Sequence, residues 1–408
     1  MMTDLDGILK QCPDSDARQL ELLKEKYGLN RLDDLEGAVI FGAAKLGSRI
    51  AKALRDRDIS IRGFSDSNPA MWTSGHCGWP VLRPAELDPQ VPVIIASKFV
   101  KEISASLLKM RVRHIIPHYI LPIILPGDFA GVFHGLSADA VRSGEKSIRE
   151  ALALMEDRQS RDLYLQILRF RVTLDPLDLP DPTAGQYFPG DFWRLSGREV
   201  FVDVGAFTGD TLADFLHHTR GVFEKYYALE PDPRNLDELK RRIPADLGGR
   251  IIALPYGAGE RRHPALFIDG AGGESRIDEG GTLSVEIVPL DELLSSEKVS
   301  TIKLDVEGYE KEVLRGAREI IGRQGPKLAV SVYHRIEDIW EIPIWIRDCN
   351  DGYRFYLRHH TEEIYDTVLY CVPGRKPSSR KHETGGLGSS RPGTEQARSP
   401  LFGIKACP

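Results

Sequence analysis

Twice along the chain an apolar strand runs into a glycine corner and then into a helix. The stretches are "VIFGAAKLGSRI" (Val39 to Ile50) and "FVDVGAFTGDT" (Phe201 to Thr211). A strand apolar on both faces needs cover on both, and a parallel sheet flanked by helices supplies it. At the corner the backbone can come close to a nucleotide. Two well-separated corners imply two such sheets, and 408 residues are enough to build both.

The flanking patterns set expected boundaries. Residues 1–36 read as an N-terminal helical segment, with an amphipathic helix ending at Gly28. A compact alternation of strands and helices over 37–126 predicts a small Rossmann-like domain of the nucleotide-binding type. Residues 127–195 carry apolar residues at helical spacing and then a proline-rich loop, a helical connector closing over an edge of the next sheet. A larger array fills 196–373, with helices expected at 208–218, 233–243, 308–321 and 335–347. Within it, "HPALFIDGAGGESRIDEGGTLSVEIVPL" reads as an inserted, glycine-separated hairpin, and the last two strands as an antiparallel pair at the sheet edge. Residues 374–408, rich in Gly, Pro, Ser and basic residues, are expected to be a disordered tail.

Composition narrows the partners. A net charge of -6 gives no reason to expect nucleic acid. Five scattered cysteines without a C-x-x-C pair fit a reducing cytoplasm and leave no metal-ligand set assigned. The apolar run "IIPHYILPIILPG" is too short for a bilayer and is broken by three prolines. The expectation is a cytoplasmic protein without a membrane span, with a homo-oligomer left open.

The second corner has the spacing D-x-G-x-x-x-G, through Asp203, Gly205 and Gly209. It lacks the G-x-G-x-x-G of dinucleotide sites, and an acid at the strand end repels a diphosphate. The same acid suits a ligand bearing an ammonium and a sulfonium, which is S-adenosylmethionine. Glu230 closes the second strand, where a carboxylate accepts ribose hydroxyls. On this reading Asp203, Gly205, Ala206, Phe207, Thr208, Gly209, Glu230 and Pro231 bind the donor, with Tyr256 and Gly257 at the adenine edge.

"STIKLDVEGYEKEVLRGA" delivers Asp305 and Glu307 to the end of another strand, with Lys303 on the face of Asp305. A carboxylate there can take the proton of an acceptor hydroxyl, orient the acceptor or hold a divalent metal. Equally, Glu307 can cap the following helix and Asp305 bond to backbone. His334, ending "LAVSVYH", is a second candidate base. Asp305, Glu307, His334 and Lys303 form the candidate catalytic set, while His359 and His360 are placed at a hairpin corner on the acceptor side.

From about Tyr187 to Pro373 the chain resembles the FkbM-type S-adenosylmethionine-dependent methyltransferases. The resemblance lies in "EVFVDVGAFTGDT", "ALEPDP", "IKLDVEGYEKEVLRGA", "LAVSVYH" and "FYLRHHTEEIYDTVLYCVP". It implies a class I methyltransferase sheet preceded by the smaller Rossmann-like domain. It also implies O-methylation of a saccharide, nucleotide-linked sugar or glycosylated natural product, with Asp203, Gly205 and Glu230 on the donor.

Residues 37–120 resemble small Rossmann-like domains fused to sugar-modifying enzymes. There Gly42 and Gly47 shape a looser turn, and Ser65, Asp66 and Asn68 are ribose candidates. A scaffold without a ligand explains the same residues. Two competing functions remain: an NAD(P)-dependent oxidoreductase using the Gly42–Asp66 turn, and a non-catalytic protein that only binds the donor.

Overall fold

The computed structural model describes residues 4–73, 75–129, 135–268, 276, 277, 281 and 283–374. The expected tail after Gly374 and the glycine-rich tip of the inserted hairpin lie outside the described residues.

The first sheet is built from β1 (Ala38–Phe41), β2 (Ile61–Ser65), β3 (Val81–Leu82), β4 (Val93–Ile95) and β5 (Ile115–Pro117). All pair in parallel, in the order β3-β2-β1-β4-β5. Helices α1 (Leu5–Gln11) and α2 (Asp16–Tyr27) precede it, and α3 (Lys45–Arg55), α4 (Val100–Lys109) and α5 (Leu121–Ile124) connect or follow its strands. Ser15 caps α2 through its hydroxyl and Gly28 ends it at φ 61°, where glycine carries no Cβ penalty.

Three helices follow, α6 (Ala138–Ser143), α7 (Glu145–Leu154) and α8 (Arg158–Thr173). α8 lies against the outer strand of the second sheet: just before it Met155 bridges to Phe355, and the Leu357 N–H donates to Ser160 Oγ at 2.9 Å.

The second sheet contains β6 (Val200–Val204), β7 (Lys225–Leu229) and β8 (Ile251–Leu254), alternating with α9 (Asp210–Thr219) and α10 (Pro233–Arg242). Pro255 separates β8 from β9 (Tyr256–Ala258). With β10 (His263–Ile268), β11 (Arg276–Ile277) and β12 (Leu283–Val288), β9 makes a separate four-stranded sheet, β11-β10-β12-β9. The inserted segment is thus antiparallel where β10 meets β12, and its return strand adds in parallel to β9.

After α11 (Leu290–Leu293) come β13 (Thr301–Leu304), α12 (Glu310–Arg315), α13 (Arg318–Gln324), β14 (Lys327–Ser331), α14 (Asp338–Cys349), β15 (Tyr353–His359) and β16 (Thr367–Pro373). The order is β15-β16-β14-β13-β6-β7-β8, with β16 antiparallel to both neighbours. This is the class I methyltransferase arrangement.

One expected helix is two. The run 308–321 breaks at Gly316, where a Cβ would stand 1.9 Å from the carbonyl oxygen of Gly259. Close approach of the inserted segment therefore ends α12, and α13 restarts at Arg318.

Strand alternation sorts the core. Val200, Val202 and Val204 belong to one core, whereas Phe201 packs with Phe215 and Tyr226 on the other face. The Phe201 and Tyr226 rings stack at 5.2 Å, worth about 0.5–1.5 kcal/mol beyond area burial. The two sheets do not keep separate cores. Leu5 and Ile8 of α1 belong to the core of the second sheet, and Ile364, between β15 and β16, belongs to that of the first. Buried Gln19 ties the segments together. Its amide donates to the carbonyls of Arg171 and Val172 and accepts from the N–H groups of Ser137 and Ala138.

Candidate functional site

The carboxyl ends of β6, β7 and β13 open into a cavity of about 340 Å³, at the point where the strand order reverses. That is where open α/β sheets bind ligands. Gly205 (φ 75°) forms its tightest corner, since a Cβ there would meet the Asp305 carbonyl oxygen at 1.9 Å. Only glycine lets β6 turn this close to the end of β13. The next turn residue, Phe207, has φ 47° and is 41% exposed at the cavity mouth.

Glu230 stands opposite this turn. Its Oε2 accepts the Phe207 N–H at 2.8 Å and its Oε1 the Asp232 N–H at 2.9 Å. It is nearly buried, and desolvation pushes its pKa up to about 7 despite these bonds. Pro231, Tyr256 and Gly257 line the same wall, together with Asn235 and Asp210. Ala206, Thr208 and Gly209 do not. Ala206 is buried in the core beneath the turn, and Gly209 faces Leu239 of α10.

Asp203 is set back from the cavity. It is fully buried and lies beside Lys303 in register across β6 and β13, with its Oδ1 3.0 Å from the ammonium. The Tyr226 hydroxyl donates to its Oδ2 at 2.5 Å. Burial raises the Asp203 pKa against the pull of Lys303 and Tyr226. Asp203, expected to serve the donor directly or through water, is not among the residues that line the cavity.

Lys303 donates to the Gly205 carbonyl at 2.7 Å and lies 5.2 Å from the centre of the Tyr187 ring. Burial alone would lower its pKa, but Asp203 and Asp305 more than offset that and raise it. Lys303 is a fixed cation, not a base.

Asp305 and Glu307 both line the cavity. Asp305 accepts from the Tyr187 hydroxyl at 2.8 Å (Oδ2) and the Tyr333 hydroxyl at 3.1 Å (Oδ1). Burial would raise its pKa, but Lys303 and His334 hold it below the usual value. Glu307 does not cap a regular helix start. It sits at φ 54°, next to Gly308 at φ 90°, in a left-handed turn that costs a non-glycine residue roughly 1 kcal/mol or more.

His334 is 3% exposed and ringed by carboxylates: Glu310 at 2.9 Å from Nδ1, and Glu307 at 3.4 Å and Asp305 at 3.7 Å from Nε2. Burial would lower its pKa, but Glu310, Glu307 and Asp305 carry it up to about 11. In the imidazolium form that these carboxylates favour, His334 has no lone pair to take a proton.

The pair His359 and His360 is also corrected. His359 Nδ1 lies 2.9 Å from the Thr367 hydroxyl, and burial lowers its pKa to about 4. His360 is locked between the Thr183 carbonyl and the Tyr370 hydroxyl, and neither imidazole lines the cavity.

Several lining or supporting residues escaped the sequence reading: Gln186, Tyr187, Asp366, Tyr333 and Glu310. Gln186 and Tyr187 come from the proline-rich loop and Asp366 from the β15–β16 turn, far in sequence from the glycine corner. Glu310 had the one available signal, a carboxylate in the first turn of a helix beginning just after Glu307.

Asp66 accepts the Ala43 N–H at 2.9 Å and the Asn68 N–H at 2.8 Å, so both its oxygens organise its own turn. Ser65 is fully buried. Among the described residues no helix is long and apolar enough to cross a membrane.

The strand order and the cleft define a methyltransferase fold. Residues 203–355 match the family model of the methyltransferase FkbM domain. Over 127 residues, 29% of the chain, it is 32% identical to the hexuronic acid methyltransferase AglP of Haloferax volcanii, and the chain spans about half the length of this curated relative, 49%. The fold is similar to the crystal structure of methyltransferase FkbM from Methylobacillus flagellatus KT. The TM-score is 0.65 at 21% identity, covering 88% of this chain and 100% of that one.

Proposed function

We propose that the chain transfers a methyl group from S-adenosylmethionine to a hydroxyl of a saccharide. The observation that carries the donor is the charge of the cavity wall. Asp210, Glu230, Asp305, Glu307 and Asp366 line it, against one lysine, Lys303, which Asp203 already engages. Such a wall favours a ligand with an ammonium and a sulfonium and disfavours the pyrophosphate of a nicotinamide dinucleotide. Bound there, S-adenosylmethionine supplies an electrophilic methyl group on sulfur.

The chain's own residues do the rest. Glu230 offers its remaining lone pairs to ribose hydroxyls from a carboxylate already fixed by two backbone N–H groups. The Gly205 corner leaves room for the donor's amino-acid portion, and Tyr256 and Gly257 flank the base. Asp305, kept ionised by Lys303, accepts the acceptor hydroxyl's proton as its oxygen attacks. Tyr187 and Tyr333 hold that carboxylate in position. His334 holds Glu307 and Asp305 electrostatically. Most of the acceleration comes from positioning. The saccharide acceptor draws support from the hexuronic acid methyltransferase to which the domain is similar.

Calorimetric titration with S-adenosylhomocysteine, beside NADH and NADPH, tests this. Micromolar binding of the homocysteine compound, weakened by Glu230→Ala, is expected. Binding of a nicotinamide cofactor alone would overturn the reading and move attention to the Gly42 corner.

A further inference from the structure

The proline-rich loop, residues 174–199 between α8 and β6, brings Gln186 and Tyr187 to the cavity wall. Its two ends are anchored to neighbouring elements. Lys101 of α4 donates to the Leu179 carbonyl at 2.9 Å, and Arg358 of β15 pairs with Asp191 at 2.6 Å. The middle is held from the end of β15 and from β16. The Thr183 N–H donates to the His359 carbonyl at 2.6 Å, and His360 Nδ1 stands 2.7 Å from the Thr183 carbonyl oxygen. The other ring nitrogen, Nε2, lies 2.8 Å from the Tyr370 hydroxyl, and that hydroxyl accepts the Tyr187 N–H at 3.0 Å. Tyr187 in turn donates its own hydroxyl hydrogen to Asp305 Oδ2 at 2.8 Å.

These contacts fix the protons along the whole path. A carbonyl only accepts, so Nδ1 of His360 carries a hydrogen. Burial lowers the His360 pKa, and Arg358 adds to this against the opposing pull of the Thr183 carbonyl, so at pH 7 the ring is neutral and Nε2 is an acceptor. The Tyr370 hydroxyl hydrogen therefore goes to Nε2, which leaves its oxygen lone pairs for the Tyr187 N–H. Tyr370 is fully buried and Tyr187 nearly so, and water does not compete for these groups. The same histidine ties down the opposite wall. Its backbone N–H donates to the Asp366 carbonyl at 3.1 Å, and Asp366 lines the cavity.

We propose that His360 and Tyr370 are positioning residues, a clamp that sets Tyr187 and through it the carboxylate of Asp305. Neither side chain lines the cavity, so both act from behind it. Without the Tyr370 hydroxyl, the Tyr187 N–H loses its acceptor and His360 Nε2 its donor at once. The backbone at Tyr187 is then free to shift, and its hydroxyl leaves Asp305 Oδ2. The catalytic consequence rests on the methyl-transfer reading, in which Asp305 is the base; the clamp itself does not. For a group that must meet an attacking oxygen, a displacement of ~1 Å is enough to cost roughly 100-fold in rate.

Nuclear magnetic resonance on the full chain, without donor or acceptor, tests the clamp at both ends. The ¹⁵N shifts of the His360 ring, assigned with His360→Gln, should show a neutral imidazole protonated at Nδ1. The Nε2–H tautomer, or an imidazolium at pH 7, overturns the proposal. The ¹³C carboxyl signal of Asp305, assigned with Asp305→Asn, reads the far end. Tyr370→Phe, which keeps the buried ring, should move that signal in the same sense as Tyr187→Phe, and should move it no further when added to Tyr187→Phe. A signal untouched by Tyr370→Phe, or shifts that simply add, overturns the proposal, because a merely structural role acts independently of Tyr187. If Tyr370→Phe fails to fold, two substitutions at His360 replace it. His360→Gln retains an acceptor for the Tyr370 hydroxyl and should keep the Asp305 signal nearer the parent's than His360→Leu does; equal displacement by both overturns the clamp. S-adenosylhomocysteine titrations run in parallel keep the two readings apart. Donor binding with an unresponsive carboxyl signal removes the clamp and leaves the methyltransferase reading. Coupled signals without donor binding do the reverse.

Discussion

Glu230→Gln removes one titrating group from the wall of the cleft while keeping the shape of its side chain. In the folded protein burial lifts this carboxyl from 4.5 to about 7, so its ionised form is less stable folded than unfolded. The displacement corresponds to about 3 kcal/mol of lost stability once the pH is well above 7. The cost is absent below the unfolded value and accumulates as pH rises from 4.5 through about 7. Between pH 5 and 8 it amounts to about 2–3 kcal/mol. The glutamine variant pays none of it.

The variant does lose an acceptor for the Phe207 or Asp232 N–H, a penalty of about 1–3 kcal/mol that does not depend on pH. The informative quantity is therefore the change with pH of the stability difference between the two proteins, from which that constant cancels. Urea unfolding of both at pH 5 and pH 8 should show the variant gaining about 2–3 kcal/mol relative to the parent. Parallel stability profiles would refute the desolvation argument. The same titration predicts tighter S-adenosylhomocysteine binding by the parent as pH rises through 7, because the ionised carboxylate accepts ribose hydroxyls better.

Other consequences are direct. Gly205→Ala places a Cβ 1.9 Å from the Asp305 carbonyl at a positive φ. It should cost about 2–5 kcal/mol in urea unfolding and displace Asp305 enough to abolish turnover. Asp305→Asn should lower the methylation rate at least ~100-fold while S-adenosylhomocysteine affinity stays within about twofold, measured by calorimetry. Lys303→Met leaves Asp203 buried without its cation, and thermal or urea unfolding should show a loss of about 3–5 kcal/mol. Adding Asp203→Asn to that variant should recover a large part of the loss, and no recovery would show that the pair is not coupled.

Local patterns carried much of this architecture. The apolar runs ending in Gly205 and Glu230, and the strand delivering Asp305, are short-range features, and the strands formed where those runs predicted. Sequence periodicity does not encode register between distant strands. Nothing in "FVDVG" shows that Asp203 will stand opposite Lys303, a hundred residues on, and pair with it. Nor does "YLRHH" show that Thr367 and Tyr370 will return beside those histidines on β16. The proline-rich loop offered no periodicity at all, so Tyr187 was invisible until the fold brought its hydroxyl to Asp305. The break of the expected helix at Gly316 came from a tertiary clash with Gly259, which helix propensity cannot anticipate.

The order of the second sheet bears on how the protein is made. β16 is the last described strand to leave the ribosome, yet it occupies an interior place, paired to β14 on one side and to β15 on the other. Until it emerges, β14 presents a bare hydrogen-bonding edge and β15 has no partner strand in this sheet. A nascent chain in that condition is open to pairing with other copies. The turn leading into β16 also carries Ile364 into the first core and Asp366 to the cavity wall, so core closure and completion of the site arrive together. A chain cut short before Thr367 would fail as a folded body, not merely as a catalyst, and synthesis rather than ligand would be the first checkpoint on its activity.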